Sequence, residues 1–436
     1  MTVLTHGFKI DQAKCSGRMR CMRSCPTQAI RVRNGKAQLI TELCIDCGSC
    51  LGACPSKAIS ARTISLADLD PFKFKVAVAS PAIFTQFGMS ATPAQVGQAL
   101  LGLGFDAVWQ YAVDIELTNR AIIDCVNKWT GSFPLIATFC PVVVRLVQVA
   151  YPTMVDQLIP LEAPREIAGR EVKRKYSQQL DLKEEEIAAI YITPCIARSI
   201  AIIQPAIPTK SYLDGALGIS QIYNEVLYRL YTNAKKPGND ACEGLPESGE
   251  LCYWGRPEGE FPNLPRENYL ALTGLADIIR VFNDVEMGRL KHIKFLECHA
   301  CPGGCIGGNL TVENHYVARS KNLQLKASML NPTVEFEREV ARRFGSEDFS
   351  IRISFKPRAL SNDVLDLRER VRRSKRAEEI LRSLPLLDCG LCGTPSCKNY
   401  ADDVASGRSE AGDCVFLSRN RIDLLRETYK RNQTGR

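Results

Sequence analysis

The chain has 436 residues, of which 45% are apolar, and its formal net charge is +8. This length predicts about two to four domains with their own cores and no dependence on disulfides. Its nineteen cysteines, many only two or three residues apart, favour metal or cluster ligation in a reducing compartment over a disulfide framework.

The same composition predicts a cytoplasmic protein without a membrane span. The first residues contain no apolar segment of a secretory signal. The longest apolar run, 187–207, is interrupted by Pro194 and Pro205, which favours a buried strand and loop over a transmembrane helix. No nucleic-acid-binding motif is present, and the basic segment around residues 368–376 has acidic residues interleaved, as in a solvated helix face.

An internal repeat opens the chain, because residues 8–30 align with residues 37–59 at a constant offset of 29. The second copy contains the spacing Cys44-x2-Cys47-x2-Cys50-x3-Cys54, followed by Pro55. In such a run three cysteines hold one cubane cluster, and the fourth reaches across to a second cluster. The repeat therefore predicts a two-cluster domain over residues 1–65.

The first copy of the repeat lacks one ligand. Cys15, Cys21 and Cys25 match three cysteines of the second copy, but Arg18 stands at the position that matches Cys47. An arginine is always protonated and cannot replace a thiolate. The crossover rule assigns a complete site to Cys25, Cys44, Cys47 and Cys50, and an incomplete site to Cys15, Cys21 and Cys54.

This domain resembles the bacterial two-cluster ferredoxins, which have an α+β fold. Within that family, loss of the second cysteine is the pattern of the seven-iron type, which carries a [3Fe-4S] cluster. Two alternatives stay open for the incomplete site. One is a [4Fe-4S] cluster with water or another ligand on one iron, and the other is an empty site.

Residues 72–355 have the pattern of an α/β domain. Apolar runs at 76–79, 135–138, 187–192 and 293–296 alternate with helical patterns at 94–103 and 118–129. Three of the runs lead into cysteines: Cys140, Cys195, and the group of Cys298 and Cys301. Ligands at the carboxyl ends of strands are usual for sites in open α/β sheets. Unrelated buried cysteines at strand ends are the alternative.

A glycine-rich loop follows the last of these runs, in the stretch from Glu297 to Asn309. It places Cys301 and Cys305 three residues apart among Gly303, Gly304, Gly307 and Gly308. A backbone without Cβ atoms can approach a bulky inorganic ligand closely. The loop therefore predicts a cluster site, with a turn that holds two buried cysteines as the alternative.

Together these motifs resemble the three signatures of the [FeFe]-hydrogenase large subunit. They read Phe139-Cys140-Pro141, Thr193-Pro194-Cys195-x2-Arg198, and Ala300-Cys301-Pro302-Gly303-Gly304-Cys305-Ile306-Gly307-Gly308. The resemblance implies that Cys140, Cys195, Cys301 and Cys305 bind a [4Fe-4S] cluster. It also implies that Cys305 bridges to the diiron subsite of an H-cluster.

The chain departs from this family at two positions. Catalytic members have a proton-relaying cysteine where this chain has Phe139, and a lysine where it has Arg198. Phe139 cannot carry a proton, so any H2 turnover is expected to be slow. Cys298 and His299 lie beside the ligands and are candidates for proton relay or cluster tuning, with a hydrogen bond from His299 to a ligand as the simpler role.

A charged segment at 356–385 predicts a helical linker, and residues 386–436 predict a small third domain. The spacing is Cys389-x2-Cys392-x4-Cys397-x16-Cys414. It resembles the single [4Fe-4S] domain of the RnfB protein of the Rnf complex and of the corrinoid iron-sulfur protein. A structural zinc site is the alternative, since four thiolates also suit zinc. All four thiols lie in one short segment, so we expect this domain to bind its cluster independently.

The sequence thus predicts an α/β multidomain protein with a ferredoxin-like module, a hydrogenase-like core and a small C-terminal Fe-S domain. Chain order predicts an electron conduit with the core in the middle. The first functional hypothesis is a redox- or H2-responsive regulatory electron-transfer protein with a ferredoxin or signalling protein as partner. The alternatives are a working hydrogenase, which would need maturation enzymes to install the diiron subsite, and a cluster-transfer protein, which the two flanking cluster domains disfavour.

Overall fold

The computed structural model describes residues 5–109, 111–207, 210–233, 254–259, 264–328, 332–358 and 366–418. The chain divides into two compact units. The first unit comprises Met1–Lys9, Ile45–Gly48 and Ala61–Arg358, and the second comprises Ile10–Cys44, Ser49–Ser60 and Ala359–Arg436. These units are defined by contacts in space and are not continuous in sequence, so they do not test the domain limits predicted from the motifs.

Eleven strands and thirteen α-helices lie in the described residues. The strands are β1 (Phe8–Ile10), β2 (Ile30–Arg33), β3 (Lys36–Leu39), β4 (Ile59–Ala61), β5 (Phe74–Ala79), β6 (Ala107–Trp109), β7 (Leu135–Ile136), β8 (Ile187–Thr193), β9 (Gly215–Gly218), β10 (Tyr269–Thr273) and β11 (Phe295–His299). The helices are α1 (Arg20–Arg23), α2 (Ser49–Ala53), α3 (Pro93–Leu101), α4 (Ala112–Lys128), α5 (Pro141–Ala150), α6 (Pro164–Leu180), α7 (Ile196–Ile203), α8 (Ile219–Asn233), α9 (Leu275–Glu286), α10 (His315–Ser328), α11 (Val334–Ser346), α12 (Leu367–Ser383) and α13 (Cys397–Ala405).

Two parallel sheets form the framework of the first unit. One has the strand order β6-β5-β8-β9, and the other has the order β10-β11-β7. All seven residues of β8 are buried, which explains their continuous apolar sequence, because helices cover both faces of a parallel sheet. The four apolar runs that predicted strands are β5, β7, β8 and β11, so the predicted α/β class of the core is confirmed.

The larger sheet packs against helices on both faces. Along β5, Val76 and Val78 contribute to an apolar cluster with residues of α4 and α6. Ala77 and Ala79 contribute to a second cluster with residues of α3 and α8. This alternation follows from the pleat, which sends successive side chains to opposite faces. The two layers fix the carboxyl ends of the strands, where the cysteines lie.

The second unit combines the ferredoxin-like residues with the C-terminal segment. β2 and β3 form an antiparallel hairpin with Ile30 opposite Leu39, and α1 packs beside α2. Helix α12 lies within the segment 356–385 predicted as a helical linker and packs on α13, while residues 359–365 lie outside the described part of the chain.

The predicted order of the conduit, with the core between the two other cluster domains, is therefore wrong. The C-terminal segment belongs to the same unit as most of the ferredoxin-like module, because residues far apart in sequence contact each other there. Among the described helices, none is both long and apolar enough to cross a membrane.

Candidate metal centre

The four predicted core ligands lie at the ends of strands in the first unit. Cys140 precedes α5 and Cys195 precedes α7, each as the residue that caps the helix. Cys301 follows β11, and Cys305 lies in a short 3-10 helix, Gly304–Gly307. Since β7 and β11 are parallel neighbours, their carboxyl ends meet at one edge of the smaller sheet. The chain thus delivers thiols from different elements to one region.

The pKa shifts of these thiols show that they are close neighbours. Burial raises the pKa of Cys195, the charge of Arg198 opposes this, and the charges of Cys305 and Cys140 add to it, so that the pKa is about 11. Burial also raises the pKa of Cys301 well above its usual value, with added repulsion from Cys195, Cys140 and Cys305. Metal ions placed among these thiols would supply the positive charge that stabilises their ionised forms.

Cys305 differs from the other three thiols. The Nη2 atom of Arg198 donates to the Sγ atom of Cys305 at 3.1 Å, while Nη1 donates to the hydroxyl of Tyr191 at 2.7 Å. The hydroxyls of Tyr191 and Tyr111 lie 3.1 Å apart. Burial raises the pKa of Cys305, but the Arg198 charge and a hydrogen bond from His299 outweigh it and lower the pKa to about 7. The Cys305 thiol therefore ionises to the thiolate more readily than an ordinary cysteine.

A second polar network reaches Cys305 through His299. The Nε2 atom of His299 lies 2.6 Å from Oε1 of Glu297, and the hydroxyl of Tyr269 donates to the same carboxylate. All three side chains are buried. Cys298 lies between Glu297 and His299 on β11 and packs in an apolar cluster with Ile278 and Phe282. The structure thus brings His299 to a ligand, whereas Cys298 lies in the apolar core.

The glycines of the loop allow close approach of other parts of the chain. A Cβ atom on Gly304, whose φ is +83°, would collide with the carbonyl oxygen of Gly255, and one on Gly308 would collide with that of Pro194. Gly303 also has a positive φ, and a Cβ atom on Gly307 would strike the carbonyl of Pro302. The glycines were predicted to make room for an inorganic ligand. In the structure they make room for backbone, which fixes Cys301 and Cys305.

The ferredoxin-like residues retain the predicted grouping of the incomplete site. Burial raises the pKa of Cys21, and the charges of Cys54 and Cys15 raise it further, so these three thiols are neighbours in the second unit. Arg18 is exposed. Of the complete set, Cys25, Cys44 and Cys50 lie in the second unit and Cys47 in the first.

The four C-terminal cysteines surround one small cavity. Cys389, Cys392, Cys397 and Cys414 all line it, together with Tyr400. The hydroxyl of Tyr400 donates to the carbonyl of Glu410 at 2.7 Å and accepts from the amide of Cys414 at 3.1 Å, which positions the last ligand. A cavity lined by four thiols fits a cluster or ion with four thiolate ligands.

Three family models match separate parts of the chain. Residues 73–223 and 262–309 match the iron only hydrogenase large subunit, C-terminal domain. Residues 8–55 match a 4Fe-4S dicluster domain, and residues 384–416 match an Fe-S cluster family. The central part of the chain is thus similar to the iron-only hydrogenase large subunit. All three predicted resemblances are thereby confirmed.

Individual relatives agree with this assignment. The hydrogenase-like chain is 23% identical to the NADP-reducing hydrogenase subunit HndD of Solidesulfovibrio fructosivorans over 68% of its own length and 63% of the relative's. A shorter match, 44% identical over 53 residues, is to a component of the ion-translocating oxidoreductase complex of Methanosarcina acetivorans, covering 12% of this chain and 20% of that protein. The chain thus spans less than two thirds of these relatives.

The fold of the hydrogenase-like core also matches solved structures. The [FeFe]-hydrogenase HydA1 from Chlamydomonas reinhardtii superposes with a TM-score of 0.52 at 16% identity, over 67% of this chain and 97% of that one. At this identity the likeness concerns the fold. The chain is therefore a hydrogenase-like iron-sulfur protein with several Fe-S domains, and its activity has to be argued from its own residues.

The hydrogenase-like core fits a [4Fe-4S] cluster, because four neighbouring thiols are available. A further two-iron group bonded to Cys305 would compete with donors that already contact its sulfur. These donors are Arg198, whose Nη2 atom lies 3.1 Å from Sγ, and His299. Arg198 is itself held by Tyr191. Phe139, which precedes the ligand Cys140, packs its buried ring on that of Trp254 with centroids 5.4 Å apart.

Several residues of the centre carried no sequence signal. Tyr191 stands inside an apolar strand and Tyr111 before a helix, so neither looks different from a core aromatic. Trp254 and Gly255 lie in a segment without a motif. Asn309, at the end of the glycine-rich loop, connects two ligand regions. Its position directly after Gly308 was the one available hint.

Proposed function

We propose that this protein is a multi-cluster electron-transfer protein whose hydrogenase-like core has a redox-responsive, regulatory role. Electrons would enter the core from the ferredoxin-like module. The partner would be a ferredoxin or a signalling protein, and we propose a cytoplasmic setting. The proposed clusters are [4Fe-4S] in the core, in the complete ferredoxin site and in the C-terminal domain, with [3Fe-4S] in the incomplete site.

The observation that carries this proposal is the contact made by Asn309. Its Nδ2 atom donates to the carbonyl oxygen of Cys47 at 2.9 Å, and its Oδ1 atom accepts from the amide of Ile196 at 3.0 Å. Cys47 is a predicted ligand of the complete ferredoxin cluster, and Ile196 directly follows the core ligand Cys195. One side chain thus joins the two ligand segments.

Two further observations indicate that the segments of Cys47 and Cys195 lie close together. The charge of Cys47 contributes to the raised pKa of Cys301, after burial and the three other core thiols. Cys47, Cys140 and Cys195 all pack against the same apolar cluster of the first unit. Such close ligand segments suit electron transfer from one cluster to the next.

The contacts of Cys305 favour a redox role for the core over H2 chemistry. Donors to a cluster sulfur stabilise the more negative, reduced state and so raise the reduction potential. An H2 response would require the diiron subsite, which would have to bind the sulfur that Arg198 already contacts. We therefore propose that the core works with its cubane alone.

A working hydrogenase is the second candidate. It is favoured by the intact third signature and by the four core cysteines at the strand ends. The presence of Phe139, buried against Trp254 where catalytic relatives have a relaying cysteine, disfavours it. Infrared spectroscopy for CO and CN ligands, after maturation, separates the two candidates.

The electron-transfer proposal is tested by replacing Asn309 with leucine, which has a similar size but no hydrogen-bonding atoms. Asn127→Leu is a matched control, because Asn127 is exposed on α4. After rapid reduction of the ferredoxin-like module, freeze-quench EPR follows the arrival of electrons at the core. We expect slower arrival in Asn309→Leu at unchanged iron content. An unchanged rate would count against the proposal.

A further inference from the structure

A buried ion pair joins the C-terminal domain to the ferredoxin-like module within the second unit. The Nε and Nη2 atoms of Arg31 on β2 donate to the two carboxylate oxygens of Asp403 on α13, at 2.6 and 3.3 Å. Arg31 is 5% exposed and Asp403 is 0% exposed. Two parallel hydrogen bonds between buried charges fix orientation as well as distance. This contact therefore sets how α13 lies on β2.

Two more arginines complete the surroundings of Asp403. The Nη2 atom of Arg33 lies 3.2 Å from its Oδ2 atom, and the Nε atom of Arg408 lies 3.2 Å from its Oδ1 atom. Arg33 comes from the ferredoxin-like module, whereas Arg408 follows α13. A separated C-terminal domain would keep Arg408 beside Asp403 but would lose Arg31 and Arg33. Breaking a buried ion pair is unfavourable, so the two modules stabilise each other.

The ferredoxin-like module also holds the loop that carries the C-terminal ligands. The amide of Val32 donates to the carbonyl of Gly393 at 2.9 Å, and Nη1 of Arg33 donates to that of Cys392 at 2.5 Å. On the other side, Nη2 of Arg23 donates to the carbonyl of Cys389 at 3.0 Å. Two cluster ligands therefore have their backbone carbonyls bound by the neighbouring module.

The segment that holds this loop carries ferredoxin ligands itself. A Cβ atom on Gly390 would lie 3.2 Å from the Cε atom of Met22, which is fully buried. Met22 and Arg23 stand between Cys21 and Cys25, the predicted ligands of the two ferredoxin clusters. At Gly393, whose φ is +75°, a Cβ atom would collide with the carbonyl of Val32. The close approach of the two modules therefore depends on the absence of side chains at Gly390 and Gly393.

We propose that the C-terminal cluster is a permanently docked redox partner of the ferredoxin-like module and exchanges electrons with it directly. The step moves one electron, so that one cluster is oxidised and the other reduced, with no bond formed or broken. This inference rests on the proposed electron-transfer function. Under this inference, electrons from the C-terminal cluster pass to the ferredoxin-like module at the segment between Cys21 and Cys25, and do not pass directly to the core.

The test uses the full-length protein with its clusters reconstituted and reduced with dithionite. Two neighbouring paramagnetic clusters broaden each other's EPR lines and speed their relaxation. We expect such broadening in the unmodified protein, and its loss in Cys397→Ser, which removes one C-terminal ligand. If the ferredoxin signals of the unmodified protein and Cys397→Ser have the same width and relaxation, the inference is wrong.

The docking contact is tested separately with Asp403→Asn, which keeps the shape and removes the charge. Arg20→Ala is the matched control, since Arg20 is exposed on α1. We expect Asp403→Asn to lose the broadening and the control to keep it. Retained broadening in Asp403→Asn would overturn the role of this contact. Core reduction is followed in the same samples, and slow core reduction beside intact broadening would contradict the proposed function but support this inference.

Discussion

The guanidinium of Arg198 lies 3.1 Å from the sulfur of Cys305, at the point where catalytic relatives are expected to bridge two metal groups. With the charge of Arg198 and the hydrogen bond from His299, the Cys305 thiol is stabilised as an anion without a second metal group. The core thereby combines a hydrogenase-like fold with two hydrogen-bond donors to the sulfur of Cys305.

Removing the charge of Arg198 should change the proton affinity of Cys305. In cluster-free protein, we expect Cys305 to lose its proton near pH 7, below the ordinary thiol value of about 8.5. Because the folded pKa is the lower one, this thiolate stabilises the fold above about pH 8.5 and the contribution is lost as the pH falls through about 7. Arg198→Met should move the titration to higher pH.

Ultraviolet thiolate absorbance measures this titration, and Cys305→Ser identifies the Cys305 component by its loss. Cys195 and Cys301 provide an internal comparison, because burial and repulsion raise the pKa of both. An equal titration curve for Arg198→Met and the unmodified protein would show that Arg198 does not act on Cys305.

Restoring the missing ferredoxin ligand should convert the incomplete cluster. Arg18→Cys supplies the thiolate that the repeat lacks beside Cys15, Cys21 and Cys54. We expect the oxidised, unmodified protein to show a [3Fe-4S] EPR signal that disappears in Arg18→Cys, with iron content rising accordingly. Two complete cubanes in the unmodified protein would disprove this assignment.

The docked C-terminal domain should lose stability when its ion pair is broken. Arg31→Met leaves the buried carboxylate of Asp403 with fewer partners, and breaking a buried pair costs roughly 3–5 kcal/mol. We expect the free energy of unfolding of the second unit to fall by this order, as measured by urea denaturation of anaerobic protein.

A fragment beginning near residue 381 lacks Arg31 and Arg33 altogether. We therefore expect that this fragment, contrary to the expectation from its sequence, does not bind its cluster stably by itself. A fragment as stable as the intact unit would contradict this.

The glycine-rich loop should tolerate no added side chain where it meets backbone. Gly308→Ala places a methyl group against the carbonyl of Pro194, and forcing such overpacking typically costs about 1–3 kcal/mol. Gly345→Ala is the matched control, because the added methyl group would meet no atom within 4 Å apart from the backbone of its own helix, α11. The midpoint temperature of thermal unfolding and the iron content of the core should fall in Gly308→Ala and not in Gly345→Ala.

Local patterns predicted the fold class, the main strands and the cysteine groups, because ligand spacing and hydrophobic periodicity are properties of short segments. The order of the modules and the surroundings of the core were missed. Arg31 and Asp403 are 372 positions apart, and Asn309 and Cys47 are 262 apart. An arginine in a strand and an aspartate in a helix have no feature that identifies them as partners.

The chemistry of the core also depended on contacts that the motifs do not contain. Arg198 was identified as a departure from the family, but its position on Cys305 depends on Tyr191, which lies 7 positions before it in the chain and inside a buried strand. Phe139 was interpreted as the loss of a proton relay. Its packing on the ring of Trp254 is a property of the folded chain that the motif does not contain.

The most direct test of the account is infrared spectroscopy of cluster-loaded protein after treatment with the maturation enzymes and a synthetic diiron complex. An active [FeFe]-hydrogenase treated in parallel serves as the positive control for CO and CN stretches. For this protein, we expect no stretches from a protein-bound subsite, while the [4Fe-4S] EPR signals of the core remain. Bound CO and CN stretches together with H2 evolution at the control's rate would contradict a core that works with its cubane alone.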